Sequence, residues 1–208
     1  MGGAVAESEL AWVAAARGGD QAAFANLVEA YQGPIYNLAY RMLGNGVEAE
    51  DAAQETFIRA YRRLDSYDPS FKFSSWILSI ASHYCIDRLR RRRHAMVSME
   101  EIQHWRWVPD NKPRPEEVTS RAEMSDDIRE LMAALPPHYR LVLVLRYWQE
   151  YSYQEIAEIT DSTESAVKSR LHRARGMMAS LMEERETATA VEHDASWRGS
   201  ENAVSPCL

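Results

Sequence analysis

The chain has 208 residues, with 24 Lys and Arg against 31 Asp and Glu, a net charge of −7, two Cys and 46% hydrophobic residues. That length allows one domain of ordinary size or two small ones, and the hydrophobic fraction excludes a wholly disordered chain. No apolar run is long enough to span a bilayer, and the first residues lack the basic and apolar segments of a secretory signal. Two Cys cannot build a disulfide framework, which indicates a reducing cytoplasm.

The N-terminal half is predicted to be helical, because strand signals are nearly absent and apolar residues recur at steps of three and four. The Gly33-Pro34 pair is expected to kink or break the first helix. The predicted helices are 24–42, 47–64 and 74–93, separated by a turn at 44–46 and a loop at 66–70.

The periodicity stops between residues 94 and 119, where three prolines forbid a long helix. It resumes at Ile128, and Pro136-Pro137 is expected to start another helix. The string from Ser152 to Glu155 is a capping box that opens a short helix ending near Thr160. A last helix is predicted over 164–184, and the tail from Thr187 is expected to be disordered.

The charge is distributed unevenly along the chain. Residues 95–127 hold eight acidic and four basic side chains, and residues 183–208 hold six and two. The basic residues concentrate in two bursts, at 88–93 and 168–175. Because the local field at a binding surface matters more than the total charge, the acidic balance does not exclude a nucleic-acid partner.

Residues 152–180 have the pattern of a helix-turn-helix, in which a short capped helix, a turn and a longer basic helix place the second helix in the major groove of DNA. On a helical wheel, Val167, Leu171, Ala174, Met178 and Leu181 form an inner face. An ordinary solvated helix is the alternative, but four cations and no acid between 165 and 175 are unusual for one. The residues predicted to reach bases and phosphates are Ser165, Lys168, Ser169, Arg170, His172, Arg173 and Arg175.

The helix predicted over 74–93 ends in five Arg within six positions. Cations at a helix C-terminus favour the helix dipole, but five exceed that need, so a phosphate-contacting surface is predicted. The aromatic residues Phe71, Phe73 and Trp76 precede this burst, an arrangement suited to stacking on single-stranded bases. Core packing is the alternative for Phe73 and Trp76.

Together these segments resemble a bacterial RNA polymerase sigma factor of the extracytoplasmic-function (ECF) type, in the sigma-70 family. The strings that carry the resemblance are DAAQETF at 51–57, WILSIA at 76–81, IDRLR at 86–90, LPP at 135–137, YQEIA at 153–157 and VKSRLHRAR at 167–175. Their order and spacing are specific, and they cover roughly residues 20–94 and 125–182.

The resemblance implies an all-α fold of two small helical domains, a region 2 bundle and a region 4 helix-turn-helix, joined by a flexible acidic linker. The implied boundaries are an N-terminal extension at 1–19, region 2 at 20–94, the linker at 95–124, region 4 at 125–184 and a disordered tail at 185–208. The implied partners are core RNA polymerase, promoter DNA and, as for many members of the class, an anti-sigma factor. No cofactor, small-molecule substrate or membrane insertion is implied.

By resemblance, region 4 reads the −35 element of the promoter, and Lys168, Ser169, His172 and Arg173 match the DNA-facing positions of the family. Region 2 implies a polymerase-binding face of Asp51, Gln54, Glu55 and Ile58, directed away from Ala53, Phe57 and Tyr61. The residues implied in opening and reading the −10 element are Ser66, Tyr67, Phe71, Lys72, Trp76, Ser79, His83, Arg90, Arg91, Arg92 and Arg93. The family often has Asn at the position of His83, and an imidazole offers a different hydrogen-bond pattern.

Two other functions remain open on the residues alone. A free-standing helix-turn-helix regulator explains residues 152–180 but leaves 47–94 without a purpose. An enzyme with an appended DNA-binding domain lacks a catalytic constellation: the six His share no recurring spacing, and no phosphate-binding loop or zinc motif occurs. His83 and Cys85 are expected on opposite sides of a helix, which disfavours a metal site, and Cys207 is expected to be incidental.

Overall fold

A computed structural model of the chain describes the backbone of residues 2–99 and 126–201 and the side chains of residues 8–93 and 127–187. The described residues are helical and contain no β-strand, as the sequence predicted. A short 3-10 helix spans Leu64–Ser66. The α-helices are α1 (Gly2–Arg17), α2 (Gln21–Leu43), α3 (Gly46–Arg62), α4 (Phe73–Met99), α5 (Asp126–Ala134), α6 (Pro137–Tyr147), α7 (Tyr153–Ile159) and α8 (Glu164–Glu201).

Helices α1 to α4 form an N-terminal bundle centred on α2. The Asp20 side chain caps α2 by accepting hydrogen bonds from the backbone N–H groups of Ala22 and Ala23. Helix α2 continues through Pro34 as one element, so of the predicted kink or break the break does not occur. Buried residues on both sides of Pro34, among them Leu27 and Ile35, lie in the same core. Their packing holds the two halves of α2 in one helix despite the missing backbone N–H.

The inner face of α3 differs from the expected one. Its buried residues are Ala49, Ala52, Thr56 and Ala60, whereas Tyr61 is 48% exposed. The expectation that Ala53, Phe57 and Tyr61 define the inward side is therefore only partly right: Ala53 and Phe57 are half-buried at its border. Small residues on the inner face allow α3 to pack closely against its neighbours, an arrangement that larger side chains would prevent.

No sequence pattern predicted α1. It buries Val13 and Ala16 against the bundle, and Arg17 at its end extends to the segment between α3 and α4. The Arg17 guanidinium donates to the carbonyls of Leu64 at 3.0 Å, Asp65 at 2.8 Å and Tyr67. Helix α1 therefore fixes the start of the loop in which the −10 residues were predicted.

Two helices run beyond their predicted ends. Helix α4 reaches Met99 rather than residue 93, and α8 reaches Glu201 rather than residue 184. The predicted ends followed the loss of apolar periodicity, but no proline lies between residues 70 and 108 or between 138 and 205, so no proline stops either helix at its predicted end. Residues 100–125, most of the predicted acidic linker, and Cys207 lie outside the described residues.

Helices α5 to α8 form the C-terminal bundle, and their local signals are those predicted. Pro137 occupies the first turn of α6, and all five residues from Leu141 to Leu145 are buried. Ser152 and Glu155 form both hydrogen bonds of the capping box at α7. Val167, Leu171 and Ala174 bury the inner face of α8. The turn between α7 and α8 includes Asp161 at φ 46°, a conformation that Asp tolerates better than most residues.

The two bundles contact each other through α6 and α7, which pack on α2 and α4. The central contact is Arg140, only 6% exposed. Its guanidinium donates across the boundary to the Met42 carbonyl at the end of α2, and within its own bundle to the carbonyls of Ala133 at 2.6 Å and Leu135 at 3.3 Å. Burial lowers the pKa of Arg140 to about 10, so the side chain remains charged at neutral pH.

Replacing Arg140 with Met should keep the volume but remove every bond to these carbonyls. Because each charge-assisted bond contributes roughly 1.5–3 kcal/mol, we expect the free energy of unfolding to fall by about 3 kcal/mol. Urea unfolding followed by circular dichroism measures this. Arg62→Met, at an exposed position of α3, is the matched control, and equal stability of the two variants would show that the buried bonds contribute nothing.

Candidate nucleic-acid interface

The outer face of α8 presents the polar and basic residues that the helical wheel placed there. Ser165, Lys168, Ser169, His172, Arg173 and Arg175 are exposed. Lys168 lies 3.6 Å from the Glu164 carboxylate and 5.7 Å from the centre of the Tyr153 ring. Arg170 is the exception, because it is half-buried and turned toward the N-terminal bundle.

The turn before α8 fixes the direction of this face. The Ser162 N–H donates to the Ala157 carbonyl at 2.9 Å. The Thr163 hydroxyl accepts from the Ala166 N–H at 3.2 Å and so caps the first turn of α8. A short capped helix followed by a tight turn thus holds a cationic helix outward, which is the geometry of major-groove recognition.

A second candidate surface is a cavity of about 260 Å³ between α3, the following loop and α4. Four residues predicted for the −10 element, Ser66, Trp76, Ser79 and His83, line this cavity together. Arg59 and Arg63 complete its wall, and neither was predicted. Arg59 lies seven residues and Arg63 three residues before Ser66 in the sequence. This spacing is a weak signal for a shared cavity, because only the fold of the loop brings the two arginines against α4.

The tautomer of neutral His83 follows from its hydrogen bond. Its Nδ1 atom lies 2.7 Å from the Ser79 carbonyl oxygen, and a carbonyl oxygen only accepts, so Nδ1 carries the proton. Nε2 is then a hydrogen-bond acceptor on an exposed side chain. Trp76 supplies a half-buried aromatic ring in the same cavity.

The aromatic residues around the loop divide into core and surface. Tyr67 is 2% exposed and Phe73 is fully buried, and their rings pack edge to face at 5.3 Å. The Tyr67 hydroxyl donates to the Phe71 carbonyl at 2.6 Å, and burial raises its pKa. Tyr67 therefore holds the loop in shape and does not present its ring to solvent, unlike Phe71, which is 54% exposed.

The arginines at the end of α4 also fall into two groups, those exposed to solvent and one that is paired within the bundle. Arg90, Arg91 and Arg93 are exposed at the end of α4. Arg92 instead forms an ion pair with Glu48 of α3 and donates to the Leu43 carbonyl at 3.4 Å, and burial lowers its pKa. Arg92 thus joins helices within the bundle, whereas its neighbours face solvent.

The predicted polymerase-binding residues share one side of α3. Asp51 and Gln54 are exposed, and Ile58 is 45% exposed. Glu55 is half-buried and pairs with Arg59 at 2.8 Å. The face thus combines acidic groups with an uncovered aliphatic side chain.

Polar contacts at the boundary between the bundles involve two residues predicted for the −10 element, Lys72 and Arg90, and also Ser75. Lys72 lies 2.7 Å from the Glu155 carboxylate, and Ser75 donates to Glu158 at 3.0 Å. Arg90 lies 2.9 Å from Nε2 of His138. The stripe of α4 that carries Ser75, Ser82 and Arg90 therefore faces the C-terminal bundle, whereas the outer face of α8 does not.

No group of three His, Cys, Asp or Glu in the described part of the chain is arranged to hold a metal ion. His83 is exposed and Cys85 is buried on the other side of α4, and burial raises the pKa of the Cys85 thiol to about 12. Among the described helices, none has the length and apolar content needed to cross a bilayer.

Comparison with known proteins identifies the family. The profile of Sigma-70 region 2 matches residues 27–95, and that of Sigma-70 region 4 matches residues 125–178. The chain is 42% identical over 163 residues to the ECF RNA polymerase sigma factor SigW of Bacillus subtilis, covering 76% of this chain and 87% of SigW. The chain belongs to the ECF RNA polymerase sigma factors.

This sigma factor also resembles further relatives. It is 34% identical to the ECF RNA polymerase sigma factor SigE of Mycolicibacterium smegmatis, over 83% of this chain and 67% of SigE. The solved structure of CnrH, in complex with the cytosolic domain of CnrY, matches with a TM-score of 0.61 at 25% identity, over 85% of this chain and 98% of CnrH. RpoE from Bartonella quintana, solved with the anti-sigma factor NepR, shares the fold with a TM-score of 0.61.

The Lys72–Glu155 pair makes a testable prediction on pH. Glu155 also accepts from Ser152, and the bond from Lys72 is the main cause that lowers its pKa from 4.5 to about 2. Because the folded-state pKa is depressed, the pair stabilises the contact above pH 4.5 and loses that effect as the pH falls through about 2. In Lys72→Met the carboxyl should titrate closer to its ordinary pKa. Carbon NMR of the Glu155 carboxyl measures this, with Lys168→Met as the control, and an unmoved pKa in Lys72→Met would contradict the pair.

Proposed function

We propose that this sigma factor is a non-catalytic specificity subunit that acts in the cytoplasm, binds core RNA polymerase, reads a −35 and a −10 promoter element and promotes melting of the latter. The observation that carries this proposal is the presence, in one ECF-family chain, of an outward cationic helix and a separate cavity that combines an aromatic ring, hydroxyls and arginines. Helices α5–α8 correspond to the −35 reader (125–184), and α2–α4 to the −10 and polymerase-binding unit (20–94).

The −35 element is assigned to the outer face of α8. Arg173 and His172 are exposed and lie opposite the buried Leu171 and Ala174, so they can approach base edges in the major groove. Lys168 and Arg175 flank them and suit phosphates, which supply affinity without sequence information. The hydroxyls of Ser165 and Ser169 add polar contacts on the same face.

The −10 element is assigned to the cavity lined by Trp76 and His83. Melting requires that a base leave the stack, and a base outside the duplex gains stacking on an aromatic ring and hydrogen bonds to its edge. The Trp76 ring offers a surface for stacking, and Nε2 of His83 offers a hydrogen-bond acceptor for a base N–H group. Arg59 and Arg63 can neutralise the phosphates of the extruded nucleotide. Melting of the −10 element uses binding energy alone and needs no nucleotide hydrolysis.

The polymerase contact is assigned to Asp51, Gln54, Glu55 and Ile58. An uncovered Ile beside carboxylates suits a basic partner helix, because the aliphatic contact supplies burial and the acids set orientation. An anti-sigma factor is a further proposed partner, supported by the solved structure of RpoE with the anti-sigma factor NepR, which shares the fold.

Reconstitution with core RNA polymerase tests the whole proposal. The chain should elute with core polymerase in a stoichiometric complex and should start run-off transcription from defined positions on genomic DNA. A free-standing regulator would bind DNA without joining the polymerase, and that outcome would refute the proposal. Glu55 and Ile58, replaced together by Lys and Ala, should weaken the complex while leaving circular dichroism unchanged.

Arg173→Ala should reduce discrimination of the −35 element. The loss of one base-reading side chain costs about 1–3 kcal/mol on the correct sequence and little on a scrambled one. Fluorescence anisotropy of holoenzyme on both DNAs measures the difference, with Arg175→Ala, a proposed phosphate contact, as the matched control. Equal weakening by Arg173→Ala on the two sequences would refute base reading.

Neutralising Arg91 and Arg93 together should flatten the salt dependence of promoter binding. Each lost phosphate contact lowers the slope of log affinity against log salt by about 0.9, so the double variant should lose roughly 2 of it. Arg92→Gln should leave this slope unchanged and lower stability instead, because Arg92 is paired with Glu48. An identical slope in the double variant and the wild type would exclude these arginines from the phosphate contacts.

A further inference from the structure

A second cavity lies at the boundary between the two bundles, between α4 and the helices α6 to α8. Its volume is about 250 Å³. Its charged and titratable lining residues are Arg90, Arg170, His83, His138 and Asp87, contributed by both bundles. This boundary cavity is separate from the one that contains Trp76, although His83 lies between them and borders both.

The boundary cavity has an excess of cationic groups. Two guanidiniums, those of Arg90 and Arg170, face a single carboxylate, that of Asp87, and two imidazoles also line the cavity. Arg170 comes from α8 and has no ion-pair partner among the described residues, unlike Lys168 on the same helix. Bringing unpaired cations together at a domain boundary costs energy, unless an anion joins them.

A buried hydroxyl adds a second, independent feature. Ser82 is 1% exposed and lines the same cavity. Its Oγ atom has no hydrogen-bond partner within the described part of the chain. Buried hydroxyls in native proteins are nearly always bonded, and an unbonded one is a donor available to a bound group.

The contact between Arg90 and His138 determines the protonation state of the His138 imidazole when the cavity is empty. Nη2 of Arg90 lies 2.9 Å from Nε2 of His138. A guanidinium only donates, so Nε2 accepts and the imidazole is neutral. Burial is the first cause that lowers the pKa of His138, and the charges of Arg90, Arg170 and His83 lower it further.

We propose that the boundary cavity binds a small tetrahedral oxyanion of the phosphate class, held by Arg90, Arg170 and the Ser82 hydroxyl. The guanidiniums match the geometry of phosphate oxygens, and the hydroxyl donates the remaining bond. The cavity is lined by both bundles, open to solvent on one side and only about 250 Å³ in volume, so it accepts a free anion or a small phosphomonoester and is too small for duplex DNA. The bound anion ties α4 to α8 through two arginines that were predicted to contact DNA.

Binding is tested on the full chain with inorganic phosphate by isothermal titration calorimetry in chloride buffer of matched ionic strength. Arg170→Gln should weaken phosphate binding about tenfold or more, because a charge-assisted bond is lost. Ser82→Ala should weaken it less, without a change of fold. Arg62→Gln, at an exposed position of α3 and outside the cavity, is the control and should bind as the wild type does.

Asp87→Asn should change the phosphate affinity in the opposite direction. Removing the single carboxylate of the cavity should tighten phosphate binding, a result that loss of structure cannot produce.

Sulfate, which keeps its charge between about pH 6 and about pH 8, tests the role of His138. An anion beside the imidazole favours its protonated form, so sulfate should bind more tightly at the lower pH. His138→Gln should reduce this dependence, and replacement of both His83 and His138 by Gln should remove it.

Several outcomes would overturn the proposal. One is the absence of saturable phosphate binding, and another is binding that Arg170→Gln and Ser82→Ala leave unchanged. A third is a response to single-stranded oligonucleotide at the same residues with none to inorganic phosphate, which would assign the arginines to DNA alone. Failure of the chain to join core polymerase would refute the proposed function without affecting this site, so the two tests are separable.

Discussion

The relation between the two bundles depends on Arg140, a cation that is almost fully removed from water. A buried guanidinium needs acceptors for its N–H groups, and here the carbonyls of Met42, Ala133 and Leu135 accept from its two terminal nitrogens. The Met42 carbonyl ends α2 of one bundle, and Arg140 belongs to α6 of the other. This hydrogen bond therefore joins the two bundles, beside the contacts of Lys72 with Glu155 and of Ser75 with Glu158.

The surfaces proposed to read the −35 and −10 elements differ in accessibility while the two bundles are in contact. The outer face of α8 points away from the boundary, so Arg173 and His172 are accessible while the bundles are in contact. On α4, Ser75 and Ser82 are buried on the side that packs against α6 and α7, whereas Arg90 near the end of the same stripe is exposed. The one ion pair at the edge of the boundary, Lys72 with Glu155, is partly exposed, and such pairs contribute little individually. The cost of separating the bundles therefore lies mainly in uncovering Arg140 and the apolar residues around it.

Local signals in the sequence were sufficient for the C-terminal bundle. Ser152 and Glu155 are three residues apart and form the capping box that their spacing predicts. The face of α8 follows from helical periodicity, because Val167, Leu171 and Ala174 recur at steps of four and three. Both signals act within one or two turns of a helix, and no distant residue is needed to interpret them.

Features that depend on distant residues could not be predicted. Helix α1 lacks an apolar stripe that distinguishes it from an unstructured extension, and only its packing on α2 explains it. Arg92 looks identical to its neighbours in sequence, and its role depends on Glu48, which is 44 residues away. The burial of Tyr67 and the entry of Arg59 and Arg63 into the −10 cavity likewise result from how the loop folds back, held by the bonds from Arg17.

The cations of the boundary have competing partners. The Lys72 ammonium pairs with Glu155 at the contact between the bundles, and Arg90 bonds His138 there, yet both residues lie on the surface proposed to meet the −10 element. A DNA phosphate that contacts Lys72 must replace the Glu155 carboxylate, so promoter binding and contact between the bundles draw on the same charges. A ligand shifts an equilibrium only by its difference in affinity for the two states. Promoter DNA therefore favours separated bundles to the extent that phosphates bind these cations more tightly than Glu155 and His138 do.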